Sequence, residues 1–352
     1  MDCIEHSKES FKGWVSFVSE GKGIRQHALI ELSHITQLGD WITDPKKVSG
    51  GLLHTMYAVE TTKGKYAVKA LNPSILKRPD ALGNYIRSEQ IARMASENIP
   101  ALPAVTYNGD AIQKVDDVWF LVFDWVEGRS IKAGEIGMDH CEVMGAILAD
   151  IHRADFQGLD LEKEEEEVRP SIDWHYYLQK GQDVKEEWLE VFKGSIENLE
   201  EWDARARKAE ARLGSDSVIS HRDLDPKNVM WVKGKPILID WESAGYIHPM
   251  HDLVETALYW SGTSDQDKFS AFITGYQRKL GGLKANWEVV LAKGFSGKLL
   301  WLEYNLKRSL RMECTDEEER RLGTMQVIET IQELGEYENR IPVLWRWLKE
   351  VE

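Results

Sequence analysis

Basic residues are outnumbered in this 352-residue chain: 44 Lys and Arg stand against 59 Asp and Glu, a formal net charge of −15. That excess argues against nucleic acid as a partner, because binding a phosphate backbone needs the opposite sign. Cysteine is scarce as well. Cys3, Cys141 and Cys314 are odd in number, far apart and without metal-ligand spacing, so they are expected to be reduced thiols in a cytoplasmic protein. No apolar run approaches the ~18 residues of a membrane-spanning helix. Met1–Glu20 mixes charges with aromatics and lacks the apolar core of a signal peptide.

What remains is a globular composition, 42% hydrophobic and 29% charged, on a chain of about two domains' length. The charge is unevenly placed: residues 1–126 carry 14 basic and 15 acidic side chains, which leaves −14 on residues 127–352. A field of that sign attracts a cationic substrate, or simply keeps the protein soluble.

The most informative stretch is Ser220-His221-Arg222-Asp223-Leu224-Asp225-Pro226-Lys227-Asn228, followed by Ile237-Leu238-Ile239-Asp240-Trp241-Glu242. It predicts a tight loop, a short apolar strand over Val229–Val232, a Lys-Gly-Lys turn and a second strand ending at Asp240. Asp223, Asn228 and Asp240 then reach one edge of a small hairpin. A carboxylate to take a hydroxyl proton, with an amide and a second carboxylate to hold Mg²⁺, is what phosphoryl transfer from ATP requires.

His-Arg-Asp, four residues, then Asn resembles the catalytic loop of the protein-kinase-like fold. The continuation through Asp225-Pro226-Lys227-Asn228 and Ile239-Asp240-Trp241-Glu242 resembles the aminoglycoside phosphotransferase and choline kinase family. That family usually reads His-Gly-Asp-x-x-x-x-Asn and then Ile-Asp-aromatic. The resemblance spans roughly residues 45–310 and implies an α+β, protein-kinase-like bilobal fold. A small antiparallel-sheet N-lobe with a helix is expected over 1–126, and a larger, mainly helical C-lobe with the catalytic loop and acceptor site over 127–352. The implied activity is phosphoryl transfer from a nucleoside triphosphate, ATP or GTP, to an alcohol group of a small acceptor, with Mg²⁺.

The resemblance assigns further positions. Gly50 and Gly51 stand where backbone N–H groups cover phosphates, and Lys69, in Tyr66-Ala67-Val68-Lys69-Ala70, is the strand lysine that meets them. Glu89, on a helix over Asn84–Ser96, resembles the glutamate that orients this lysine. Asp124, Trp125 and Val126 fall at the hinge whose backbone meets the adenine edge, and Gly128 is expected to ease the turn that follows. Asp223 is the catalytic base; Asn228 and Asp240 are the metal ligands.

Elsewhere the expectations are structural. Phe11, Trp14, Val15 and Val18 are spaced as a helix within residues 1 to about 40. His152 reads as a packed or capping residue, Asp252 as a helix cap, and Arg222 as a pin against a nearby carboxylate. Helices are expected over Asp139–Ala154, Asp267–Leu280, Trp287–Met312 and Asp316–Leu348. The acidic run Glu162–Glu167 with Trp174, Tyr176 and Tyr177, or the group Trp301, Glu303 and Tyr304, offers a cradle for an amine.

Two rivals stay open. A protein kinase is disfavoured by Trp-Glu after Asp240 in place of Phe-Gly and by the dozen or so residues before Asp252. A catalytically silent binding module is disfavoured by the presence of Asp223, Asn228 and Asp240 together. The acceptor is left open among aminoglycosides, choline or ethanolamine, homoserine and sugars, and the sequence sets no oligomeric state.

Overall fold

The computed structural model describes residues 26–352 apart from 49–53, 160, 162–167, 214–215, 263 and 315. Phe11, Trp14, Val15, Val18, Gly50, Gly51 and Glu162–Glu167 therefore lie outside the described residues.

The chain opens with helix α1 (Gln26–Ile35), which buries Ala28, Leu29 and Leu32. Strands β1 (Lys46–Val48), β2 (Thr55–Thr61) and β3 (Gly64–Ala70) follow, then helix α2 (Ala81–Ala95) and strands β4 (Ile112–Val115) and β5 (Val118–Asp124). They form one antiparallel sheet in the order β1-β2-β3-β5-β4. Strand alternation sorts its side chains. Val59, Val68, Phe120 and Val122 pack under α1, whereas Leu121 joins Tyr85 of α2 on the other face. Lys69 is paired in register with Leu121 and so belongs to that second face.

The remainder is mainly helical: α3 (Met138–Arg153), α4 (Trp174–Val184), α5 (Leu189–Leu213), α6 (Pro249–Ser261), α7 (Gln266–Leu280), α8 (Trp287–Lys293), α9 (Phe295–Ser309) and α10 (Glu317–Val351). Two ribbons interrupt it, β6 (Val218–Ser220) with β9 (Gly245–Ile247), and β7 (Val229–Val232) with β8 (Lys235–Leu238). The short polar side chains before several helices cap them: Asp173, Asp265, Asn286 and Asp316 each accept a backbone N–H three residues on. One large core, including Trp174, Trp188, Trp260 and Trp287, runs through all the helices from α3 to α10 and takes in the end of α2. The α+β bilobal expectation holds.

Two local expectations change and a third is extended. The helix expected over Trp287–Met312 breaks at Gly294, where the Tyr337 hydroxyl of α10 donates to Leu291 O (2.7 Å) and fills the space a Cβ would need. Gly128 ends a tight turn, its N–H donating to Val126 O at 3.0 Å, and has a second use. It lets the chain pass against the Trp231 carbonyl of β7, where Trp231 N–H donates to Arg129 O at 2.8 Å. Asp252 is not a cap: His248 holds that position, with Pro249 in the first turn, and Asp252 accepts instead from His152 Nε2 at 2.8 Å. His152 is thus packed as expected, with Tyr276 on its other nitrogen (2.8 Å).

Candidate active site

The β7–β8 hairpin turns on Lys233 and Gly234, both at positive φ, as a two-residue hairpin loop of this twist requires. Ahead of it, Asp225 accepts from Lys227 N–H (2.8 Å) and Pro226 opens a single 3₁₀ turn that ends at Asn228. That turn sets Asn228 beside the loop that carries Asp223: its Nδ2 donates to Asp223 O (2.8 Å) and Asp223 Oδ2 (2.9 Å). With both amide protons spent on Asp223, the Asn228 Oδ1 is left as an acceptor for a cation.

His221 is fully buried and ties the loop to the hairpin. Its Nε2 donates to Ile239 O (3.0 Å) and its Nδ1 accepts from Asp223 N–H (3.3 Å), an assignment that makes the ring neutral. Burial lowers its pKa accordingly. The ring rests against Trp241, which is itself buried. Asp240, between them, adopts φ 62°, ψ 60°, a left-handed conformation that costs a non-glycine residue about 1–3 kcal/mol and is held where surrounding contacts over-determine it. Arg222 also sits at positive φ. It has no ion pair among the described residues. Its guanidinium lies against Gly245, where a Cβ would come within 3.1 Å of Nη1, so the expected carboxylate partner is replaced by packing on β9.

Burial raises the pKa of Asp223 to about 6, and the charges of Asp225 and Asp240 add to the effect while Lys227 and Asn228 oppose it. Lys69 meets the hairpin directly: Nζ stands 2.6 Å from Asp240 Oδ1 and 2.7 Å from Glu242 Oε2. Burial disfavours its charge, but the two carboxylates outweigh burial and raise its pKa above the ordinary lysine value. Glu242 is opposed by burial too, yet its bonds to His54 and Lys69 hold it at about 2. Lys69, Asp223, Asn228 and Asp240 are therefore gathered at one place.

The expected Lys69–Glu89 pair is not formed. Glu89 is 6% exposed and accepts the Ala104 N–H at 2.7 Å, an interior N–H that would otherwise be an orphan. Burial pushes its pKa up to about 7. At the end of β5, Trp125 N–H donates to Lys65 O (3.1 Å), Lys65 Nζ lies 3.9 Å above the Trp125 ring, and Val126 O accepts from Gly128 N–H (3.0 Å).

Part of the expected aromatic cradle is taken up internally, while Tyr176 and Trp301 stay exposed. Trp174 is in the core, and Tyr177 OH donates to Glu303 Oε1 (2.8 Å), whose charge Lys307 already meets at 3.1 Å. Tyr304 is covered by Arg78 and Arg308. A different space is available: a cavity of about 620 Å³ between α6, α8, α9 and α10, lined by Glu255, Tyr259, Glu333, Glu336 and Tyr337, with Lys298 and Arg340. Tyr259, which lines this cavity, has its pKa raised by desolvation, with the charges of Glu255 and then Asp223 adding to it. The cavity has no local sequence signal, and although Glu242 stands in the motif after Asp240, its contact with Lys69 joins residues 173 positions apart.

The model of the phosphotransferase enzyme family (APH) matches residues 44–290. No curated protein sequence matches the chain. Among solved structures, a spectinomycin phosphotransferase bound to ADP and spectinomycin superposes with a TM-score of 0.66 at 13% identity, covering 89% of this chain and 98% of that one. A choline/ethanolamine kinase family protein from Mesorhizobium loti gives 0.56 at 13% identity, covering 90% and 98%. An aminoglycoside phosphotransferase from Alicyclobacillus acidocaldarius gives 0.54 at 14%, covering 94% and 98%. At such identities the likeness establishes a shared fold, and the family assignment rests on the match over residues 44–290: the chain belongs to the phosphotransferase enzyme family.

Proposed function

We propose that the protein is an ATP-dependent cytoplasmic kinase that phosphorylates a hydroxyl of a small cationic acceptor. The observation that carries this reading is the convergence of Lys69, Asp223, Asn228 and Asp240 from a sheet, a loop and a hairpin. Asp223 receives the acceptor's hydroxyl proton as the new oxygen–phosphorus bond forms and the bond to the β–γ bridging oxygen breaks. A positioned base of this kind contributes ~10²–10⁴ in rate. Its raised pKa brings it nearer the operating pH than an ordinary aspartate. Lys69 meets the α/β-phosphates, Gly50 and Gly51 cover them with backbone N–H groups, and Asp124–Val126 offer backbone to the adenine.

Asn228 Oδ1 and Asp240 supply hard oxygen donors, the kind Mg²⁺ takes. Mg²⁺ needs only one or two of them from protein, because it keeps waters and phosphate oxygens; no larger His/Cys/Asp/Glu cluster with metal-holding geometry exists among the described residues. When bound, the ion neutralises charge on the phosphates.

The carboxylates and tyrosines of the α6–α10 cavity favour a cationic acceptor. An amino-sugar antibiotic and an amino alcohol both meet that description, in keeping with the spectinomycin bound to one structural relative. The test is ADP release across aminoglycosides, choline, ethanolamine, homoserine and sugars, with Asp223→Ala alongside. Transfer should fall at least a hundredfold in the variant while nucleotide binding persists; an equally active variant would remove Asp223 from the role of base.

A further inference from the structure

Resting on the reading of the chain as a nucleotide-dependent phosphotransferase, the geometry points to Glu242 as the carboxylate that orients Lys69 toward the nucleotide, in place of Glu89. Three observations converge on it. Glu89 is committed elsewhere, sealed in the interior on the Ala104 N–H. Asp240 is the second carboxylate on Lys69, but its proposed role toward a metal ion competes with that contact. Glu242, 2.7 Å from Lys69 Nζ, is left as the partner without a competing duty.

Glu242 is also braced. His54 Nε2 lies 3.3 Å from its Oε2. His54 is fixed in turn, accepting the Asn72 N–H on Nδ1 (3.0 Å) and meeting the Tyr85 hydroxyl at 2.8 Å through Nε2. The Nδ1 contact leaves the proton on Nε2, where it faces Glu242 and Tyr85. His54, Asn72 and Tyr85 belong to the sheet half of the molecule, and Glu242 to the turn after β8. The lysine is thereby held by a carboxylate on the turn after β8, which α2 reaches only through Tyr85 and His54. In protein kinases the orienting glutamate lies on the helix corresponding to α2, and movement of that helix switches the enzyme. Here α2 supplies Tyr85, which reaches Glu242 through His54, and Glu89, which accepts the Ala104 N–H, so the helix does not itself carry the carboxylate on Lys69. Glu242 is a positioning residue, acting through Lys69.

The experiment is calorimetric titration of a non-hydrolysable ATP analogue with Mg²⁺ into the wild type, Glu242→Gln, Glu89→Gln, Lys69→Met and Lys69→Met/Glu242→Gln. Glu242→Gln should weaken nucleotide binding at least tenfold, Glu89→Gln by less than twofold, and the double variant should bind no more weakly than Lys69→Met. Tyr85→Phe, which loosens His54 without touching Glu242, should weaken binding two- to fivefold and serves if Glu242→Gln does not fold. Additive losses in the double variant, a larger loss in Glu89→Gln than in Glu242→Gln, or a Glu242→Gln loss recovered by raising Mg²⁺ would each overturn the assignment. A wild type that binds no nucleotide would instead overturn the kinase reading itself.

Discussion

Glu89 shows how a carboxylate at a family position can carry a different burden. Its interior setting raises its pKa to about 7 from 4.5, so the folded state holds the proton more tightly than the unfolded chain does. The stability this contributes is fully present below about pH 4.5 and is lost as pH rises through about 7. Glutamine does not titrate and still offers an acceptor to Ala104 N–H. Glu89→Gln should therefore gain stability relative to wild type between pH 5 and 8, by roughly 1–3 kcal/mol, then level off. Urea unfolding at the two pH values checks this; a difference independent of pH would refute the buried-carboxylate account. Asp223, Asn228, Asp240 and Lys69 were legible in the sequence because each sits in a short motif with its own turn or strand. The partner of Lys69 was not, because it depends on a contact between residues 173 positions apart.

At the scale of elements, periodicity and capping residues give α3 and α7 to within a residue at each end, whereas α2 begins three residues before its expected start and α10 runs three residues past its expected end. The breaks do not follow from local sequence. Gly294 interrupts the α8–α9 run because Tyr337 arrives from α10. The α3–α7 crossing is set by two glycines: a Cβ on Gly145 would collide with the Phe272 carbonyl, and one on Gly275 with the Glu142 carbonyl. Gly145→Ala should thus destabilise by about 1–3 kcal/mol or more, the usual cost of overpacking. Gly194 is exposed within α5, and a Cβ there would meet nothing within 4 Å. It should respond oppositely, Gly194→Ala stabilising by roughly 0.5–1 kcal/mol. Melting temperatures of the two variants compare helix crossing with helix propensity directly; equal shifts would contradict the close-packed crossing.

For the molecule as a whole, the acidic excess lies almost entirely in residues 127–352, the part that contains the cavity carboxylates Glu255, Glu333 and Glu336. If that field draws in the acceptor, screening must weaken it. The KM for a cationic acceptor should rise several-fold between about 50 and 300 mM salt, while the KM for a neutral polyol stays nearly flat. Parallel salt responses for both acceptors would reduce the charge to a solubility device.

The sequence alone determined the hairpin and the oxygen atoms at its edge, since turn residues, a 3₁₀ cap and strand alternation act within a few positions of one another. Tertiary packing decided which carboxylates meet Lys69, that Trp174 and Tyr177 are buried in the core, and where the cavity opens. Those outcomes depend on how the sheet and the helices settle together, and burial and ion pairing across such distances leave no pattern in the local order of residues.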